Sequence, residues 1–191
     1  MNHPAERTPG ATIPLPSPRA AASPRHAALG APPTLSLGQI STLLWNVFGF
    51  SRHLHGRAAL PRQQRPELKV FALLPEGAYR YEAEPHRLVL VTPADLRALV
   101  GLRGAHPAAL DLVYVTEGAP GRDESWEECG TLALADAEHA ARHVADQCAA
   151  QGLVAGTTHH LAGRLGAALA LPPGLEVVLA QRVDPTPVQV S

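Results

Sequence analysis

The chain has 191 residues, a net charge of -1 and a pI of about 6.8, and 46% of its residues are hydrophobic. This length and composition suit one globular domain with its own core. The near-neutral charge gives no electrostatic basis for binding nucleic acid or a membrane surface. Because no apolar run is long enough to span a bilayer and the first residues lack a signal-peptide layout, we expect a cytoplasmic protein.

The two cysteines, Cys129 and Cys148, are too few for a disulfide framework and do not form a C-x-x-C pair. In a reducing cytosol such residues are ordinary thiols. We therefore do not assign them a redox function.

Residues 1–33 are rich in proline and alanine, which predicts a flexible N-terminal arm before a domain at residues 34–191. Proline removes backbone donors and blocks helix formation, and the arm has little apolar surface to bury. We expect this arm either to be disordered or to lie along a partner subunit, with no helix across Ala20–Ala28. Its prolines are Pro4, Pro9, Pro14, Pro16, Pro18, Pro24, Pro32 and Pro33.

A helix is predicted to begin at Ser36, because Ser36 and Gln39 have the spacing of a capping box. The apolar residues that follow recur at helical spacing as far as Phe48, and Gly49 is a typical stop. Alternating residues then predict a strand over Glu67–Leu74, and turn residues predict a hairpin after it. Its arms are Ala78–Glu82 and Arg87–Val91, followed by a short helix capped by Thr92 and a strand over Leu110–Thr116.

The second half of the chain contains the longest predicted helix, from about Thr131 to Gln151, which ends at Gly152. Gly118–Glu128 is predicted to be a polar loop before it. A further helix over Leu161–Leu171 and a strand over Val177–Val183 complete the chain. The pattern indicates an α+β fold, with a small mixed or antiparallel sheet surrounded by helices.

Four segments, taken in order, resemble the nitroreductase family of FMN-dependent oxidoreductases, in its branch near the thiazoline and oxazoline dehydrogenases. They read LLWNVFGFSR, LPEGAYRY, DAEHAARHV and VVLAQRV. The resemblance implies a nitroreductase-like fold, a homodimer and FMN at the dimer interface. It also implies hydride transfer from a nicotinamide or another reductant to a small acceptor, with the flavin supplying the chemistry.

The resemblance also suggests which residues hold the FMN phosphate. The family's arginine in its second flavin element is retained as Arg57, and the shortened first element leaves Arg25 and His26 as stand-ins, of which Arg25 is the candidate phosphate contact. Arg62 and Arg65 add guanidinium groups that suit forked contacts with phosphate. The alternative is that these arginines, together with Arg52, form a solvated basic loop.

On the ring side, the family's contact positions are partly replaced. A serine position is occupied by Pro61 and a glutamine position by Pro66, and proline offers neither a side-chain polar group nor an amide donor. A glycine-containing family element corresponds to residues 152–160. The candidate ring contacts are Gln64, Thr157, Thr158 and His159.

Two hypotheses of different classes follow from these substitutions. The first is an FMN-dependent oxidoreductase that acts on a small-molecule substrate, or on the substrate of a partner enzyme. The second is a family member that does not bind flavin and acts as a binding or scaffold subunit. Flavin absorption of the purified protein distinguishes them.

His139 and His143 have the i, i+4 spacing at which two imidazoles can bind one metal ion. No H-E-x-x-H motif is present and no carboxylate lies at a recognised offset. Surface or interface histidines are therefore favoured over a metal centre, and no catalytic residue is assigned.

Overall fold

The computed structural model describes residues 8–18, 34–49, 68–101, 106–117, 125–158 and 162–186. These ranges contain seven strands, which form one antiparallel sheet in the order β1-β4-β3-β2-β5-β7-β6. With helices on its faces, the sheet confirms the α+β prediction. The strands are β1 (Thr12–Pro14), β2 (Lys69–Leu74), β3 (Gly77–Glu82), β4 (Arg87–Thr92), β5 (Leu110–Glu117), β6 (Leu153–Thr158) and β7 (Leu175–Pro185).

The described helices are three α-helices and two short irregular turns. The α-helices are α1 (Leu37–Leu44), α2 (Ser125–Ala150) and α3 (Ala162–Ala168). A π-helical turn, Trp45–Gly49, continues α1, and a 3-10 turn spans Arg97–Leu99. Among the residues that the structure describes, no helix combines the length and apolarity needed to cross a membrane.

The capping box predicted at the start of α1 is confirmed. The backbone amide of Gln39 donates to Ser36 Oγ over 3.2 Å, and the Ser36 amide donates to Gln39 Oε1 over 3.0 Å. The π-helical turn ends at Gly49, where an added Cβ would lie 2.8 Å from the Trp45 ring. Glycine at position 49 therefore leaves room for the Trp45 ring, which lies against the backbone there.

The sheet has an apolar core on each face, so the domain has three layers. On one face, Val70 of β2 packs with residues of α1 and α2. On the other face, the adjacent Phe71 packs with Leu165 of α3 and with Val100 after the 3-10 turn. Because side chains alternate along a strand, the continuous apolar run of β2 is explained by burial on both faces.

Two local predictions are wrong. Thr92 does not cap a helix but ends β4, and the turn that follows is a 3-10 turn whose Arg97 amide donates to Asp95 Oδ1 over 3.1 Å. The long helix begins at Ser125, so the predicted polar loop ends earlier than Glu128. Polar composition does not by itself distinguish a loop from the start of an amphipathic helix.

Two strands, β1 and β6, lie where the sequence pattern predicted none. Within the predicted flexible arm, β1 pairs with β4, aligning Ile13 with Leu88. Backbone hydrogen bonds extend this pairing on both sides, from Gly10 to Leu90 and from Leu15 to His86. The arm's boundary at residue 33 stays a prediction, but the arm includes an ordered strand.

Candidate functional site

The structure places two of the eight predicted cofactor contacts, Thr157 and Thr158, on the edge strand β6. Their backbones pair with Gln181 and Ala180 of β7. The remaining predicted contacts lie outside the described residues, so their geometry stays a prediction. These are Arg25, Arg57, Arg62, Gln64, Arg65 and His159.

The outer edge of β6 is accessible. In the described ranges β6 pairs only with β7, so alternate N–H and C=O groups point away from the sheet. Thr157 is exposed and Thr158 is half-buried. A Cβ added at Gly156 would meet no described atom within 4 Å. This edge offers hydroxyl and backbone partners that suit a flat polar ring edge, and no described atom fills the space beside Gly156.

Behind Thr157, a buried polar network joins the sheet to α2. The Tyr114 hydroxyl donates to Gln181 Oε1 over 2.6 Å, and Gln181 Nε2 donates to the Ala141 carbonyl over 2.9 Å. Burial raises the pKa of Tyr114 far above its usual value, so the phenol stays protonated. With these partners in place, the network holds β5, β7 and α2 together as a rigid support for the edge.

A second polar cluster links the N-terminal segment to α1 and the sheet. His86 Nε2 lies 2.7 Å from Ser41 Oγ, and His86 Nδ1 lies 2.9 Å from the Tyr81 hydroxyl. Ser41 Oγ donates to the Pro16 carbonyl. These contacts form one directional chain when neutral His86 carries its proton on Nε2, with Tyr81 donating to Nδ1. Burial lowers the pKa of His86, which favours that neutral form.

This Ser-His contact is structural rather than nucleophilic. Ser41 is fully buried, and its hydroxyl hydrogen is directed to Pro16. His86 also packs edge-on against Trp45, with ring centroids 4.9 Å apart. An activated serine would need to expose its oxygen and pass its proton to the histidine. The cluster instead fastens residues 8–18 to the domain.

We expect His86→Asn to loosen this fastening while the sheet remains intact. Asparagine tolerates the positive φ of 46° at this position but cannot bridge Ser41 and Tyr81. The loss of two hydrogen bonds predicts about 1–3 kcal/mol of local destabilisation. Hydrogen exchange should be faster at the Gly10 and Leu15 amides and unchanged in β5. Equal protection in the variant and the parent would contradict the fastening role, and His106→Asn is the surface control.

On the opposite face of the sheet, Asp111 is a buried carboxylate that the sequence analysis missed. It has no exposed surface, and neither oxygen has a hydrogen-bond partner among the described residues. Burial raises its pKa to about 7. The positive charge of Arg182, which lies opposite Asp111 in the β5–β7 register, opposes this shift. The sequence signal was a charged residue inside the apolar run LDLVYV.

His139 and His143 lie on the exposed side of α2. His139 and His143 are exposed, with their Nε2 atoms 3.0 Å apart. Among the described residues, no group of three or more His, Cys, Asp or Glu side chains is arranged to hold a metal ion. A metal ion bound by His139 and His143 would therefore have two protein ligands from the described part of the chain.

Comparison with solved structures finds proteins of one fold. A protein of Ralstonia eutropha JMP134 designated a nitroreductase is 29% identical, with a TM-score of 0.69, and the match covers 99% of this chain and 89% of that one. The Escherichia coli microcin synthetase complex matches at 14% identity and a TM-score of 0.63, over 98% of this chain and 72% of that one.

The NADPH:FMN oxidoreductase of Vibrio harveyi, solved with NAD+, matches at 15% identity and a TM-score of 0.51. That match covers 88% of this chain and 66% of the other. No family model and no curated protein sequence matches the chain. These matches show that the chain has the nitroreductase fold, and over nearly its whole length its sequence is similar to that of the Ralstonia protein.

Proposed function

We propose that the protein is an FMN-dependent oxidoreductase that transfers a hydride between a nicotinamide or another reductant and a small acceptor. The fold supports this proposal, since a neighbour of the same fold is an NADPH:FMN oxidoreductase solved with NAD+. The observation that carries it is the open edge of β6, at the segment that corresponds to a flavin-contacting element of the family.

The donors that the structure describes fit the ring side of FMN. Thr157 and Thr158 offer hydroxyl groups, and the outer edge of β6 offers backbone amides and carbonyls. The absence of a side chain at Gly156 lets a flat group approach that backbone. We propose Arg57, Arg62 and Arg65, with Arg25, as the phosphate side, since guanidinium groups bind phosphate by forked hydrogen bonds.

When bound, FMN supplies the hydride chemistry, and the chain's residues position and shield it. The network of Tyr114, Gln181 and Ala141 fixes β7, and Thr157 lies on β6, which pairs with β7. A rigid support matters because hydride transfer depends on holding the reacting atoms in one geometry.

We also propose that the protein is a homodimer, with α1 and the part of α2 from Leu132 onward near the interface. These helices pack on the same face of the sheet, and α2 presents small exposed residues such as Ala135 and Ala149. Self-association of this kind is normally isologous. Sedimentation at micromolar concentration should give twice the chain mass, and a monomer there would contradict the proposal.

A second candidate function is a binding or scaffold subunit without flavin. Pro61 and Pro66 favour it, because they remove polar groups at the ring-contact positions suggested by the family resemblance. One neighbour of the same fold is a component of a multi-subunit synthetase. In this case the protein would act by associating with a partner enzyme.

The Gly156→Val variant tests the proposed ring site directly. Valine suits a strand, and no described atom lies within 4 Å of the added Cβ, so the fold should tolerate the change. The added methyl groups should keep the ring from the β6 backbone and weaken FMN binding by about tenfold or more, as expected when one or two hydrogen bonds are lost.

The matched control is Val154→Thr, which alters an exposed residue on the same face of β6, two positions away. FMN titration followed by flavin fluorescence should give the parent affinity for this control. Unchanged affinity in Gly156→Val would place the ring elsewhere, whereas absence of FMN binding in the parent itself would favour the scaffold function.

A further inference from the structure

The side chains of His139 and His143 meet on the exposed side of α2, one helical turn apart. Their Nε2 atoms are 3.0 Å apart, and their rings are nearly perpendicular, with centroids separated by 4.5 Å. Two nitrogens at this distance share one proton, with one imidazole as donor and the other as acceptor. Two nitrogen atoms that can carry lone pairs are therefore directed toward the same small region.

This separation fits coordination of one metal ion. Imidazole nitrogens bind first-row divalent metals at about 2.1 Å, so two of them 3.0 Å apart subtend an angle of about 90° at the ion. That is the angle between neighbouring ligands in square-planar or octahedral coordination. We propose that His139 and His143 form a binding site for an imidazole-preferring divalent metal ion, with Cu²⁺ and Ni²⁺ preferred over Mg²⁺ and Ca²⁺.

The helix holds the pair in place. The opposite side of α2 is anchored in the core by Ala137, Ala141, Val144 and Cys148, all of them buried. One turn farther along, Gln147 Oε1 accepts a 2.8 Å hydrogen bond from Asn46 of the π-helical turn. Because the backbone between the two histidines is helical and packed, binding requires only small side-chain rotations.

In the single chain the site is open. Both histidines are exposed there, on the helix proposed to lie near the dimer interface, so water, an added ligand or a group of the partner subunit can occupy the remaining coordination positions. With two protein ligands from the described residues, the ion should exchange readily instead of being held as a structural metal. The site lies on α2 and does not depend on flavin binding at β6, so either proposal can fail without the other.

Titration calorimetry of the full, tag-free chain with CuCl2 and separately with NiCl2 tests the proposal. The chain has ten histidines, and six of them lie outside the described residues, so variants must locate the site. All chains compared carry His3→Gln, because a histidine third from a free amino group binds Cu²⁺ and Ni²⁺ tightly by itself. In this background, His139→Gln and His143→Gln should each weaken the same binding event by at least about tenfold, since even loss of a supporting contact typically costs that much. His106→Gln, at an exposed position elsewhere, should leave it unchanged.

Two further measurements make the result decisive. Circular dichroism should show the same helix content in all variants, which separates loss of a ligand from loss of α2. Electron paramagnetic resonance of the one-to-one Cu²⁺ complex should show two coupled nitrogens in the parent and one in each variant. Equal Cu²⁺ affinity in the parent and both variants, or equal binding of MgCl2, would overturn the proposal.

Discussion

The Asp111→Asn variant is expected to be more stable than the parent protein above pH 7 and about equally stable near pH 4. Asp111 is fully buried, and its pKa in the folded protein is about 7, compared with 3.8 for an ordinary aspartate. Burial is the main cause, and Asp184 adds to it, while Arg182 and Arg97 oppose it. Asparagine keeps the shape of the side chain without the ionisation.

The direction of the pH dependence follows from proton binding. Between about pH 4 and pH 7 the folded chain retains a proton on Asp111 that the unfolded chain has lost, so its stability falls as the pH rises. The parent should lose about 1.4 kcal/mol per pH unit relative to the variant, and at most about 4 kcal/mol in total. Below pH 4 the free energies of unfolding of the two proteins should change with pH in the same way.

Urea unfolding of both proteins at several pH values between 4 and 9 measures this difference. Asp146→Asn removes an exposed carboxylate from α2 and is the matched control, with little expected change. A constant difference between parent and Asp111→Asn across the pH range would show that Asp111 is ionised in the folded protein throughout. A variant less stable at pH 8 would show that its negative charge is compensated by the neighbouring arginines.

The Arg57→Ala variant is expected to bind FMN about tenfold to a hundredfold more weakly than the parent. Arg57 retains the arginine of a flavin element in the family that the sequence resembles. Loss of one charge-assisted hydrogen bond costs about 1.5–3 kcal/mol, which corresponds to that range of affinity. Arg57 should contribute a larger share of the FMN affinity than its family counterpart does, because Pro61 and Pro66 supply no polar side-chain groups at neighbouring positions.

FMN titration followed by flavin fluorescence gives the affinities. Arg57→Lys retains the charge but not the forked geometry, so its affinity should lie between those of the parent and Arg57→Ala. Arg52→Ala removes a nearby arginine that is not assigned to phosphate and should bind like the parent. Submicromolar affinity that survives Arg57→Ala would indicate that these arginines form a solvated loop.

Features set by local interactions were predictable from the sequence. The capping box of α1 depends on Ser36 and Gln39 alone, and it is present as predicted. The β3–β4 hairpin follows from alternating residues on both sides of a short turn, and the structure contains it. Gly152 ends α2 with a φ of +67°, a conformation that glycine adopts without strain.

Features that depend on contacts distant in sequence were not predictable. The three residues of β1 form a strand because β4 offers its edge and because His86, Ser41 and Tyr81 fasten the adjacent segment. Proline content alone indicated a flexible arm there. The segment of β6, LVAGTT, likewise becomes a strand through pairing with β7, although its sequence does not alternate between apolar and polar residues.

The candidate site was only partly predictable for the same reason. The family resemblance indicated Thr157 and Thr158 as ring contacts, and both lie on β6, whose outer edge pairs with no other described strand. The buried Asp111 appears in sequence as one charge within an apolar strand. Its importance depends on Arg182 and Asp184, which lie more than seventy residues later and become neighbours only in the sheet.

Whether the protein is a flavin enzyme is tested most directly by the visible absorption spectrum of the purified protein after incubation with FMN and removal of free flavin. The proposed function predicts a flavin band in the blue region that remains with the protein and is bleached by a reduced nicotinamide or by dithionite. An equilibrium titration to millimolar FMN completes the measurement, because weak binding does not survive desalting. No binding at millimolar FMN would contradict the oxidoreductase proposal and support the scaffold function.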